Sequence, residues 1–218
     1  WYNTTSNLLK YDTIGAGAWA AGGDLNVGRP QSSGMGFGIQ TAAICAGGNT
    51  PPITLKTEQY NGTAWTELAS PSDLTYTAYT RNSAAAGTTT AGLMFGGNPG
   101  VSPPWTTNDT EIWNGSTWAE TGDMTATHRL AAGLGTSTAA VCAGGYQNNG
   151  TTFQATEEFN GASWATIPGG DMNTDSYAYG STGTQTAGMV AGGTPALTQT
   201  ETYDGSTWTA LGNILNHG

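Results

Sequence analysis

Four consecutive repeats of about 48 residues, each holding four short strand-like runs, predict an all-β propeller. The absence of sustained 3.6-residue periodicity predicts almost no helix. The composition agrees: 34 of the 218 residues are Gly, roughly twice the usual share. Eight Trp and nine Tyr supply enough aromatic area for a packed fold.

The repeat has two signatures. The first is an apolar run closing on a Gly pair, at residues 42–48 (AAICAGG), 91–97 (AGLMFGG), 140–145 (AVCAGG) and 187–193 (AGMVAGG). The second begins at Glu58, Glu111, Glu157 and Glu201 and reads Glu-x-aromatic-Asn/Asp-Gly-x-x-Trp. Each unit divides into four strands. Two Gly-, Ala- and Thr-rich runs precede the Gly pair, the Glu-x-aromatic run is the third, and the Trp run is the fourth. Asn-Gly and Asp-Gly between the last two predict a type I′ hairpin. Small residues in the first run, such as Ala84, Ala85, Ala86 and Gly87, let innermost strands approach one another around an axis.

The N-terminal segment aligns with the second half of a unit, with Leu9 to Tyr11 as the third strand and Trp19 in the fourth. The expected architecture is one domain over 1–218 with about five blades. These are a partial blade 1–29, full blades at about 30–73, 74–124, 125–172 and 173–212, and a tail 213–218. A fragment of a longer propeller, or completion by a neighbouring chain, remains open as an alternative. The chain opens on Trp1 rather than Met and shows no signal peptide, as expected of a processed or trimmed chain.

Charge excludes several classes. Five Lys and Arg against fifteen Asp and Glu give a net charge of -10. That balance disfavours nucleic acid and an anionic membrane surface as partners. No apolar window is long enough for a membrane-spanning helix, so no membrane insertion is expected. Two Cys and two His make a metal site or other cofactor unsupported. Cys45 and Cys142 precede Gly pairs at equivalent positions and read as buried free thiols.

Residues that recur in register read as structural. This covers the repeat Trp, the aromatics Tyr60, Trp113, Phe159 and Tyr203, and the four Glu, which are expected to hydrogen-bond a neighbouring loop or backbone. Arg29, Arg81 and Arg129 lie between blades and read as salt-bridge partners, with Tyr177 at the place equivalent to Arg81 and Arg129. Glu158 and Asp109 fall outside the register but offer no defined acid–base pair, so no catalytic residue is assigned.

Departures from register lie in the loops after each Gly pair, 49–57, 98–110, 146–156 and 194–200. Loops on a rigid scaffold commonly carry binding residues. The candidates are Trp105 and Asn108 in one loop, and Tyr146, Asn148, Asn149 and Phe153 in the next.

The Gly pair, the Glu-x-Tyr-Asn-Gly-x-x-Trp run and the Met124-x-x-x-x-Arg129 lead into the next unit resemble the Kelch family over residues 11–212. The closer resemblance is to the Kelch-like, galactose-oxidase-central-domain-like repeats of marine phage structural proteins. It implies a non-enzymatic recognition module on a virion surface or tail fibre, extracellular, that binds host-surface glycan or receptor. The implied partners include other virion or surface chains, among them copies of itself. A purely structural or decorating role is the alternative, and a glycan-active hydrolase a third. The copper chemistry of galactose oxidase is not implied, because its paired His and crosslinked Tyr–Cys have no counterpart here.

Overall fold

The structure is a computed structural model that describes residues 22–29, 36–48, 54–75, 83–99, 106–147, 151–177, 179–195 and 198–214, with the backbone of 2–3 and 8–9. Sixteen of its strands form four antiparallel meanders. A short pair, β1 (Tyr2–Asn3) and β2 (Leu8–Leu9), precedes them. Blade 1 holds β3 (Gly36–Ile39), β4 (Ala42–Ala46), β5 (Thr57–Tyr60) and β6 (Trp65–Glu67). Blade 2 holds β7 (Ala84–Thr88), β8 (Ala91–Phe95), β9 (Thr110–Trp113) and β10 (Trp118–Glu120). Blade 3 holds β11 (Ala132–Thr136), β12 (Ala139–Ala143), β13 (Thr156–Phe159) and β14 (Trp164–Thr166). Blade 4 holds β15 (Gly180–Thr184), β16 (Ala187–Ala191), β17 (Thr200–Tyr203) and β18 (Trp208–Ala210).

This is an all-β propeller, as the repeat predicts, but with four four-stranded blades among the described residues rather than about five. Of the expected partial blade, the strands described are β1 and β2. Tyr2 pairs with Leu9 and Asn3 with Leu8, just as Cys45 pairs with Glu58 and Ala46 with Thr57. The third-strand reading of Leu9 therefore has the matching register, while Trp19 lies outside the described residues.

The innermost strands explain the Gly and Ala content. β3, β7, β11 and β15 line a central channel of about 370 Å³. A Cβ on Gly133 would sit 2.8 Å from the backbone N and O of Ala85. Only a missing side chain permits that approach.

Between blades the core repeats a single arrangement. Phe37, Ile44 and Ala46 of blade 1 meet Met94, Trp113 and Trp118 of blade 2. Leu93 and Phe95 meet Cys142, Phe159 and Trp164 at the next seam, and Leu134 and Val141 meet Val190, Tyr203 and Trp208 at the third. At every seam the indole Nε1–H reaches back to a Thr hydroxyl on the preceding blade. Trp118 donates to Thr57 at 2.9 Å, Trp164 to Thr110 at 3.0 Å and Trp208 to Thr156 at 2.9 Å. The same Trp packs on the aromatic opposite it in its own blade, as Tyr203 and Trp208 do at 4.9 Å. Register recurrence of these rings thus has a packing cause.

The third-to-fourth-strand hairpins differ from the two-residue I′ turn. Tyr60 pairs directly with Trp65, so the loop has four residues, 61–64. Gly62 takes φ 93° while Asn61 does not adopt positive φ. The Asn61 carboxamide oxygen accepts from the N–H of Thr63 and Ala64 at 3.0 and 2.9 Å. The side chain supplies the turn that the backbone would otherwise make. Asn114, Asn160 and Asp204 do the same.

Trp164→Ala should cost about 3–5 kcal/mol, from lost burial, a cavity and an unpaired Thr110 hydroxyl. Trp65→Ala should cost well under that, because Trp65 is half-exposed. Urea unfolding of the two variants measures the difference.

Candidate functional site

The site is built on four buried carboxylates. Glu58, Glu111, Glu157 and Glu201 are each at most 2% exposed. Each accepts backbone N–H groups from the loop that enters its blade. Glu58 takes Asn26 N and Val27 N at 2.7 and 3.2 Å. Glu111 takes Thr75 N at 2.9 Å. Glu157 takes Thr125 N and Ala126 N at 2.6 and 3.0 Å, and Glu201 takes Asn173 N at 2.8 Å. The structural reading of these Glu holds in all four blades.

Among the described residues, Glu58 and Glu157 each also meet a basic side chain. Arg29 donates through Nε and Nη2 to Glu58 Oε1 at 3.1 and 2.9 Å. Its Nη1 reaches the carbonyls of Gly47 and Lys56. In blade 3, His128 does the equivalent work. Its Nε2 lies 3.2 Å from Glu157 Oε1 and its Nδ1 lies 3.0 Å from the Gly144 carbonyl. Arg29 and His128 therefore bridge the same two points, the repeat Glu and the first Gly of the pair. Both stand 29 residues before their Glu, a spacing that could have revealed the match, although the distance to the Gly pair differs, 18 residues against 16. Ser176, at the corresponding place in blade 4, donates instead to the Thr194 carbonyl, and Glu201 Oε1 is left buried without a hydrogen-bond partner.

Burial opposes ionisation of Glu58 and Glu157. The hydrogen bonds from Asn26 and Arg29, and from His128 and Thr125, more than offset it, so both carboxyls sit below their ordinary value. Burial pushes the Cys45 and Cys142 thiols up, and both cysteines are free and buried, as expected.

The loops so anchored bring aromatic groups together at one end of the blades. Arg129 and Tyr146 exchange backbone hydrogen bonds at 3.2 and 2.9 Å. The Arg129 guanidinium lies 4.7 Å from the centre of the Tyr146 ring. Tyr177 meets the same ring edge-on at 5.3 Å. Phe153 packs on His128 at 5.0 Å. Arg129, Tyr146, Phe153 and Tyr177 are all half-buried. Leu130, the next residue, takes φ 56°, a conformation that branched side chains rarely adopt. It turns the chain from the Arg129–Tyr146 pairing towards β11.

Of the candidates, Tyr146 and Phe153 belong to this cluster. Asn108 is half-buried, and its amide donates to the Met124 carbonyl at 3.0 Å, so it ties its loop to the blade 2–3 connection. Trp105, Asn148 and Asn149 lie outside the described residues, as does Arg81. Arg29 forms the expected salt bridge, at 2.9 Å. Arg129 lies over an aromatic ring instead, with its Nε buried and without a hydrogen-bond partner. Tyr177 pairs with Thr194 as Arg129 pairs with Tyr146, so the register match between them could have nominated both.

Glu58→Ala strands the Arg29 guanidinium in the interior and should cost about 3–5 kcal/mol. Because Glu58 and Glu157 titrate lower in the fold than their ordinary 4.5, their contribution is complete above that value. It is lost as pH falls through the folded values. Thermal unfolding from pH 7 to pH 2 should show this acid limb, and Glu157→Gln should flatten part of it.

No protein-family model matches this chain, and no curated protein matches it at a significant level.

Proposed function

We propose that this propeller is a non-enzymatic recognition module that binds host-surface glycan through the loops at one end of its blades. The reading extends to a phage tail-fibre or virion-surface setting, outside the cell, with other surface chains as neighbours. The observation that carries it is the Arg129–Tyr146–Tyr177 cluster. Two half-buried tyrosine rings lie beside a half-buried guanidinium. Aromatic faces suit the C–H surfaces of a sugar ring, and fixed N–H donors suit its hydroxyls. Clefts between such loops need several contacts, and avidity across copies would multiply weak ones.

The carboxylates support a binding rather than a hydrolytic role. The four repeat Glu are committed to loop backbone, and Glu158 accepts the Tyr203 hydroxyl at 2.9 Å. The second reading, a structural or decorating virion component, draws on the exposed apolar side chains Ile39 and Met189 at the two end blades.

A glycan array and a host-cell binding assay on the wild type should give specific binding. Tyr146→Ala, Arg129→Ala and Trp105→Ala should each weaken it about tenfold or more, equivalent to about 1.4 kcal/mol, with unfolding temperatures retained. Absence of binding by folded wild type would transfer the assignment to the structural role.

A further inference from the structure

The three seams share one plan. The trailing face of a blade offers a cross-strand pair, namely Phe37 with Ile44, Ala86 with Leu93, and Leu134 with Val141. The next blade answers with Met94, Cys142 or Val190 and with its Trp. Blade 4 carries the equivalent pair, Thr182 with Met189, but among the described residues no blade covers it. Met189 is 39% exposed, and all of β15 is exposed where β7 and β11 bury alternate residues.

The leading face of blade 1 is the other half of such a seam. Trp65 is only half-buried, and with Ala43 and Cys45 it lines an open groove of about 410 Å³. β3, β7, β11 and β15 pack successively, and among the described residues no comparable contact returns from β15 to β3.

The outer part of blade 1's leading face is already taken. A Cβ on Gly22 would meet the Tyr60 hydroxyl at 3.2 Å, and one on Gly23 the Thr63 carbonyl at 2.8 Å. Gly122 lies against the 162–163 turn of blade 3 in the same way. A whole blade of a second copy would collide with this segment. Among the described residues, none covers the inner part, the groove over Ala43 and Cys45.

We propose that the opening between blades 4 and 1 accepts an inner half-blade. This is a β-hairpin with Gly, Ala and Thr on its first strand and branched or sulfur-bearing apolar residues on its second. It seals Met189 on one side and Ala43, Cys45 and Trp65 on the other. Recognition follows the seam plan already used three times within the chain, and the mode is strand addition.

The test uses a synthetic peptide with the sequence of residues 83–97, this chain's own inner hairpin, added to the intact protein. Saturable binding should raise the unfolding temperature by about 5 °C at a hundredfold excess over Kd. It should also slow hydrogen exchange in 39–45 and 187–191 and blue-shift Trp65 fluorescence. A scrambled peptide should do none of this. Ala43→Asp and Met189→Asp should abolish the effect while the free protein still unfolds in one cooperative transition. No protection at either segment would overturn the proposal. So would protection of both segments, without peptide, in a dimer seen by sedimentation, which would assign the faces to a second copy.

Discussion

Each blade depends on a carboxylate held away from water beside a row of backbone N–H groups. An unpaired amide in that position would cost free energy, and so would an unpaired carboxylate. Together they satisfy one another and fix the chain's path from the outermost strand of one blade to the innermost strand of the next. The consequence reaches the candidate site directly. Thr125 and Ala126 are held by Glu157, and Arg129 follows a few residues later, over the Tyr146 ring.

The seams supply most of the burial, and their polar detail sets the spacing. An indole aligned to a Thr hydroxyl on the preceding blade allows one angle and one height. Repeating that contact propagates the ring, and each added blade leaves the same half-seam at its far side. Because Thr182 and Met189 stand where Leu134 and Val141 stand one blade earlier, the last blade ends in a surface more polar than the seams within.

Variation is confined to the places that neither constraint reaches. The loops beyond the Gly pairs differ in length, while the Gly pairs themselves do not, since both residues take positive φ in every blade. The bridging side chain can also be exchanged: guanidinium in blade 1, imidazole in blade 3, a serine hydroxyl turned elsewhere in blade 4. Arg129 and Tyr177 likewise occupy one structural place with different chemistry, and the pair of them gives this end of the molecule its asymmetry.

Four blades, their strand order, the structural roles of the Glu and Trp, and the small residues around the channel were legible in the residues alone. Each depends on a pattern repeated in register, and repetition separates a packing role from a local one. The blade count near the N-terminus was not legible, because a half-repeat does not say which strands find partners. The hairpin type was misread: Asn-Gly suits a two-residue turn, but the Tyr60–Trp65 pairing spaces the strands for a four-residue loop closed by the Asn side chain. The bonds by which Arg29 and His128 replace one another, and the meeting of Arg129, Tyr146 and Tyr177, belong to tertiary structure. They join residues from loops of unequal length, whose side chains converge only after the buried carboxylates have set where each loop runs.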